Sequence, residues 1–495
     1  MASVGEYATL PRIAGMSGAP QAEADGLSRS SITGERLSRR SASEGFTLAL
    51  PAIAIAGVGG AAFLWRALAW QPAVTVDAWA YAAWGQALAR GERPLFDLGA
   101  TTPKPLAALL GALVVPLPPE RALAVVVALA LGVLAASLFA AAYREGGAVA
   151  AAVAVVVLAA GARLNVTAAF AYIDAVVAAF VLAGVALRGR LRIGALVLAG
   201  LLRPEAWALA AAAGFSETAG SLRRRTGGAL AAGVVAPALW ILSDLVLIRD
   251  PLGTLHWQSA RQREQGIENV SWTDVPGDFW SALNKEGGAV LALAGVLGLG
   301  LHYIRGKRRG SLDPLPLAVA VVWSALLALE THYGGGLNSR YLLPLVGVLA
   351  LGCGLLAARF LPSPLLVRSP WPAVAVAAGA LVFVTVSGGM SAGMPREMAR
   401  NAAIAATRPA VESVLSCGRL GVTRRTASRG VIPQLAASSR HSLYEFGVYR
   451  RGRQFAAVIH FSLRGRLANP SLPPWPRYDT ALGPLAVAPG CAPPG

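Results

Sequence analysis

Eleven apolar runs follow one another between residues 47 and 389, most of them near the roughly 20 residues a helix needs to cross a bilayer. They cover about 47–70, 104–117, 121–143, 146–161, 166–187, 191–215, 227–248, 287–304, 314–330, 341–361 and 371–389. The second and fourth are short, which suits tilted or re-entrant segments. A mean hydropathy of +0.54 with 14% charged residues excludes an ordinary soluble enzyme. The fold class expected is therefore an all-α polytopic membrane protein of about 11 transmembrane helices.

Ahead of this region, residues 1–46 contain GERLSRR and much Ser, Gly and Ala without an apolar core, and read as a disordered basic tail. The first apolar run is too long for a signal-peptide core and reads as a retained helix. The formal charge of +18 would suggest nucleic acid in a soluble protein. Here the arginines sit in tails and loops, where they set membrane orientation, and no nucleic-acid partner is expected. With the tail cytoplasmic, Arg163, Arg223–Arg225, the RGKRRG cluster, Arg359 and Arg368 fall inside. Residues 71–103, Arg144–Glu145, 249–286, 331–340 and everything after 389 fall outside, with Arg188, Arg190 and Arg192 as an exception on the outer side. The setting expected is the plasma membrane of a bacterium.

Residues 390–495 hold no run able to span. Short strands are expected at Gly418–Arg424 and Phe455–Phe461, with a helical turn at Val431–Ala437, giving a small extracytoplasmic α/β domain. Cys417 and Cys491 flank it and are candidates for a disulfide; two free thiols are the alternative. Cys353 lies inside an apolar run, and no cysteine has metal-site spacing.

Charge is scarce in the apolar region, so each charged residue there is informative. Asp77, Tyr81, Trp84 and Leu88 share one helical face in the first outer loop, with Trp79 beside them, as in an interfacial helix. Asp77 is either a helix N-cap or a general base facing a lipid–water cleft. Lys104 is either a snorkelling interfacial lysine or a cation for phosphate, and Asp97 is a loop carboxylate. Arg203-Pro204-Glu205 falls mid-run, where ionised groups need partners or a polar cavity; Asp174 is a candidate partner for Arg203. The outer loops add His256, Trp257, Arg261 and Arg263, then Glu330, His332, Tyr333, Asn338, Arg340 and Tyr341, with Arg340 at lipid-headgroup depth. The two histidines lack a clustered ligand pattern.

The segments Asp77-Ala-Trp-Ala-Tyr81, Lys104-Pro105-Leu106, Leu-Leu-Arg203-Pro204-Glu205-Ala-Trp and Arg340-Tyr341-Leu-Leu-Pro344 together resemble the GT-C class of polytopic glycosyltransferases. The likeness is greatest to its protein O-mannosyltransferase and aminoarabinose transferase relatives, over about 47–345. Ala78 stands where many members carry a second acidic residue, and Leu106 where a second proline is usual. The resemblance implies sugar transfer, with inversion, from a polyprenyl-phosphate donor to a glycan, lipid or protein acceptor in the cell envelope. It implies Asp77 as the base. Tyr81, Asp97, Lys104, Arg203, Glu205, His256, Arg340 and Tyr341 are then substrate-binding candidates, and no metal or other cofactor is expected. A transporter or flippase, or an inactive scaffold of this fold, are the competing readings.

Overall fold

The structure is a computed structural model of the 495-residue chain. It describes residues 49–67, 74–94, 102–117, 119–256, 258–259, 270–284, 288–309, 313–335, 339–361, 369–387, 394–422, 434–437, 446–448, 457–459, 477–480, 483–488 and 491. Residues 51–495 form one compact unit. The N-terminal tail, Asp97, Trp257, Arg261, Arg263 and Asn338 lie outside the described residues.

Helix α1 is Ala49–Ala67. It is followed by α2 (Val76–Ala89), α3 (Pro105–Leu113), α4 (Pro119–Ala160), α5 (Ala162–Ala169), α6 (Asp174–Ala186), α7 (Gly189–Gly200), α8 (Glu205–Glu217) and α9 (Leu222–Leu247). Then come α10 (Val275–Asn284), α11 (Gly288–Arg309), α12 (Leu315–Glu330), α13 (Leu343–Phe360), α14 (Trp371–Ser387) and α15 (Met394–Leu415). Six of these are long and apolar enough to cross a membrane among the described residues, and α6 and α14 are shorter apolar helices. Helix α4 is broken at Gly147, whose φ of 76° lies in the left-handed region that glycine adopts without a Cβ penalty.

Two clusters of charge mark opposite ends of the bundle. Helix α6 begins at Asp174, which meets Arg203, and ends at Ala186, whose carbonyl accepts from Arg144. Helix α8 begins at Glu205 beside Arg203 and ends at Glu217, 2.8 Å from Arg192. Helix α12 starts next to Asp313, which pairs with Arg188 and Arg192, and ends at Glu330, 3.5 Å from Arg203. At about 1.5 Å per residue these helices hold the clusters roughly 20 Å apart.

This frame corrects two expectations. The run 191–215 is not one span with Arg203 at its centre. It is a hairpin of α7 and α8, because Pro204 lacks the N–H that would continue the ladder, and the chain reverses at Leu201–Pro204. Arg203 therefore sits between two helix ends rather than in the middle of one helix. The run 104–117 holds only a short helix, as the tilted or re-entrant reading of it allows. Its nine-residue α3 packs against α2, with backbones so close that a Cβ on Gly85 would lie 2.1 Å from the Gly111 carbonyl carbon. Arg144–Glu145 and the Arg188–Arg192 segment, expected at the same end as Asp77, lie together at the opposite end, joined through Asp313 and Glu145. Helix α5 ends beside Thr75, whose N–H donates to the Phe170 carbonyl.

The C-terminal region forms a five-stranded mixed sheet of β1 (Leu420–Val422), β2 (Phe446–Val448), β3 (Ala457–Ile459), β4 (Arg477–Thr480) and β5 (Gly483–Val487), in the order β2-β1-β3-β5-β4. Strands β2, β1 and β3 run parallel, and β5 is antiparallel to β3 and β4. Strands β1 and β3 lie within the two expected strands, and residues 434–437, within the expected turn, are helical. Cys417 and Cys491 are joined by a disulfide across a Cα separation of 5.9 Å, which ties the end of the chain to the end of α15.

Candidate active site

The sequence Thr75-Val-Asp77 explains why Asp77 is available. Thr75 caps α2, its hydroxyl accepting from the Ala78 N–H, so the carboxylate two residues on is released from capping. Asp77 instead meets Arg340 at 2.9 Å. Arg340 belongs to a 3-10 turn, Ser339–Leu342, that leads into α13. Its Nε lies 3.5 Å from Asp174, and Asp174 accepts from Arg203 Nε at 3.1 Å. Arg203 in turn donates to Glu205 at 2.5 Å and lies 3.5 Å from Glu330. One chain of alternating charge thus joins the first turn of α2, α6 and α8 to the ends of α12 and the 3-10 turn.

Aromatic rings hold the two guanidinium groups. The Tyr341 ring lies 3.4 Å from the Arg203 guanidinium carbon. The Tyr172 ring lies 4.7 Å from that of Arg340. Such stacking leaves the in-plane N–H groups for carboxylates or phosphate. Trp323 fixes the turn by donating to the Tyr341 carbonyl at 2.9 Å. Lys104, the residue preceding α3, is close enough to interact electrostatically with Asp174, Arg203, Arg340 and Asp77.

Exposure grades along the chain. The side chains of Asp174 and Arg203 are 4% and 6% exposed, against 16% for Arg340 and 27% for Asp77. The inner pair is a fixed anchor, and the outer pair is the part a ligand can reach. An ion pair buried as deeply as Asp174–Arg203 is retained only where both partners are satisfied, as they are here through Glu205 and Arg340.

The remaining candidates divide. Tyr81 is buried, its hydroxyl donating to the Thr102 carbonyl at 3.4 Å, two residues from Lys104. His256 stands apart on an exposed loop, its Nδ1 2.6 Å from Asp250, whose carboxyl this hydrogen bond holds below the usual range. His332 stacks on Trp272 at 4.1 Å and bonds the Val270 carbonyl, a loop-fixing role. Trp79 and Trp84 do not face an interface: both are buried. Helix α15 covers α2 through Asn401, which accepts from Trp79 and donates to the Val74 carbonyl, and Gln86 donates to the Ala437 carbonyl beyond it. Tyr172 was missed in the sequence, although it lies two residues before Asp174. Glu330, read as a loop residue, is the last residue of α12.

No family profile and no curated protein matches the chain. Among solved structures it is similar to ArnT from Cupriavidus metallidurans, crystallised with undecaprenyl phosphate, with a TM-score of 0.54 and 14% sequence identity. The likeness covers 90% of this chain and 99% of that one. At that identity the similarity establishes the fold, which is of the GT-C type.

Proposed function

We propose that this is an integral-membrane, inverting glycosyltransferase that moves a sugar from a polyprenyl-phosphate donor to an acceptor at the membrane face bearing Asp77. The observation that carries the reading is the graded chain Asp77–Arg340–Asp174–Arg203. It offers a reachable carboxylate and a reachable guanidinium on an anchored base, in a GT-C fold. The undecaprenyl phosphate bound by ArnT supports a polyprenyl-phosphate donor.

In this mechanism the donor phosphate competes with Asp77 for Arg340, and Lys104 adds a second cation beside it. The carboxylate so released takes the proton of the acceptor hydroxyl. The acceptor oxygen forms a bond to the anomeric carbon as the bond from that carbon to the phosphate oxygen breaks, and the electron pair leaves on the polyprenyl phosphate. Arg340 and Lys104 stabilise the charge that develops there. Arg203, held by Asp174 and Glu205, is a positioning residue, and the leaving monophosphate is offset by these cations with no metal invoked. The arginine-rich end opposite Asp77 is then cytoplasmic, and the C-terminal sheet extracytoplasmic.

The test is transfer of labelled sugar from a polyprenyl phosphate in membranes carrying the wild type or Asp77→Asn. The substitution should lower transfer by at least about 100-fold, the usual contribution of a general base. Transfer that survives it sinks the assignment of Asp77, and no transfer by the wild type from any of several donor sugars sinks the enzymatic reading.

A further inference from the structure

At the end opposite Asp77, α11 and α13 cross with their backbones in contact. A Cβ on Gly298 would lie 1.9 Å from the Gly352 carbonyl oxygen. Past this crossing the two helices and the break in α4 border a half-open cavity of about 400 Å³, lined by Arg144, Glu145, Gly146, His302, Arg305 and Arg359 among others. Its one carboxylate in that set is already engaged. Glu145 lies 2.8 Å from Arg144, 3.6 Å from Arg188 and 3.2 Å from His302. Arg144 is also committed, donating to the Val185 and Ala186 carbonyls that end α6. Arg305 and Arg359, one from each of α11 and α13, are exposed and have no acidic partner among the described residues.

We infer that this cavity binds a phosphate group, carried by an anionic lipid headgroup or free in solution, between Arg305 and Arg359. The volume is that of a small-ligand site. Two guanidinium groups facing one cavity provide the paired donors that phosphate oxygens accept. Basic cavities between membrane helices are lipid-headgroup sites for the same reason. The site is at the opposite end of the bundle from Asp77, and nothing in it depends on glycosyl transfer.

The experiment uses the full chain in phosphatidylcholine nanodiscs, with and without phosphatidylglycerol, and native mass spectrometry of the lipid retained. In a second arm inorganic phosphate is titrated in phosphatidylcholine discs against the melting temperature. The wild type should retain phosphatidylglycerol in preference, and Arg305→Ala/Arg359→Ala should lose it by roughly 25-fold, at about fivefold per arginine. Both residues are exposed, so the fold should survive; Arg305→Gln alone should give about fivefold. If phosphatidylglycerol is not preferred but phosphate raises the melting temperature of the wild type and not of the double variant, the site stands with free phosphate as its ligand. The inference is overturned if neither ligand distinguishes wild type from the double variant. It is overturned equally if Arg223→Ala/Arg224→Ala, exposed on α9 outside the cavity, loses as much binding.

Discussion

Arg203 is the residue on which the inner half of the charge chain depends. Removing it would leave buried Glu205 without its cation at 2.5 Å and buried Asp174 with Arg340 at 3.5 Å in place of its hydrogen bond at 3.1 Å. Breaking a buried pair by deleting one partner costs about 3–5 kcal/mol, whereas an exposed pair is worth about 0–1 kcal/mol. Thermal unfolding in detergent should therefore show Arg203→Ala strongly destabilised. Arg408→Ala, which loses only an exposed contact to Glu412 on α15, should change stability by less than about 1 kcal/mol. Equal effects would show that the inner pair is not the anchor its burial suggests. The Asp174–Arg203 pairing was legible in the sequence because an ionised group in an apolar run must find a partner, and few were on offer. The freedom of Asp77 from capping was less visible, since Thr75 and Asp77 are both good caps and only geometry chooses between them. Burial of Trp79 could not be read at all: it depends on Asn401, 322 residues away.

Element boundaries were harder to read than element types. An apolar run from 191 to 215 has the same composition whether it forms one 25-residue span or two shorter helices side by side. Only Leu201–Pro204 punctuates it, and a proline can kink a membrane helix as readily as end it. Glycine spacing carries the missing information for α2 and α3, but only once both helices are placed. Gly85 and Gly111 bring the two backbones together, and so hold Asp77 and Lys104 on adjoining elements. A methyl at Gly85 would meet backbone that no rotamer change can move. Overpacking of this kind costs about 1–3 kcal/mol, so Gly85→Ala should lower the melting temperature and, by shifting α2, reduce sugar transfer. Gly57→Ala on α1, where an added Cβ meets nothing within 4 Å, should be neutral or stabilising by up to about 1 kcal/mol. If the two alanines behave alike, the close α2–α3 contact is not present in the membrane.

At the scale of the whole molecule, the fold differs from the expected one at two runs. The run 104–117 holds only the nine-residue α3, and the run 191–215 is a hairpin of two short helices, α7 and α8. Arg144 and the Arg188–Arg192 segment lie at the end of the bundle opposite Asp77, where the eleven-run reading had put them at the same end as Asp77. Arg188 and Arg192 join Asp313, at the same end as Glu217 and the arginines that open α9. The basic segment that broke the positive-inside pattern thus lies beside the helices whose bounds the sequence misplaced. The consequence can be measured without reference to function. Arg190 and Thr273 are both exposed, and the eleven-run reading of the sequence placed them on the same side. In a Cys353→Ala background with the Cys417–Cys491 disulfide intact, a membrane-impermeant maleimide applied to sealed, oriented vesicles should label Arg190→Cys and Thr273→Cys from opposite sides. Ser221→Cys, exposed just before α9, should follow Arg190→Cys. If Arg190→Cys instead reacts together with Thr273→Cys, the pairing of Arg192 with Asp313 and Glu217 cannot stand.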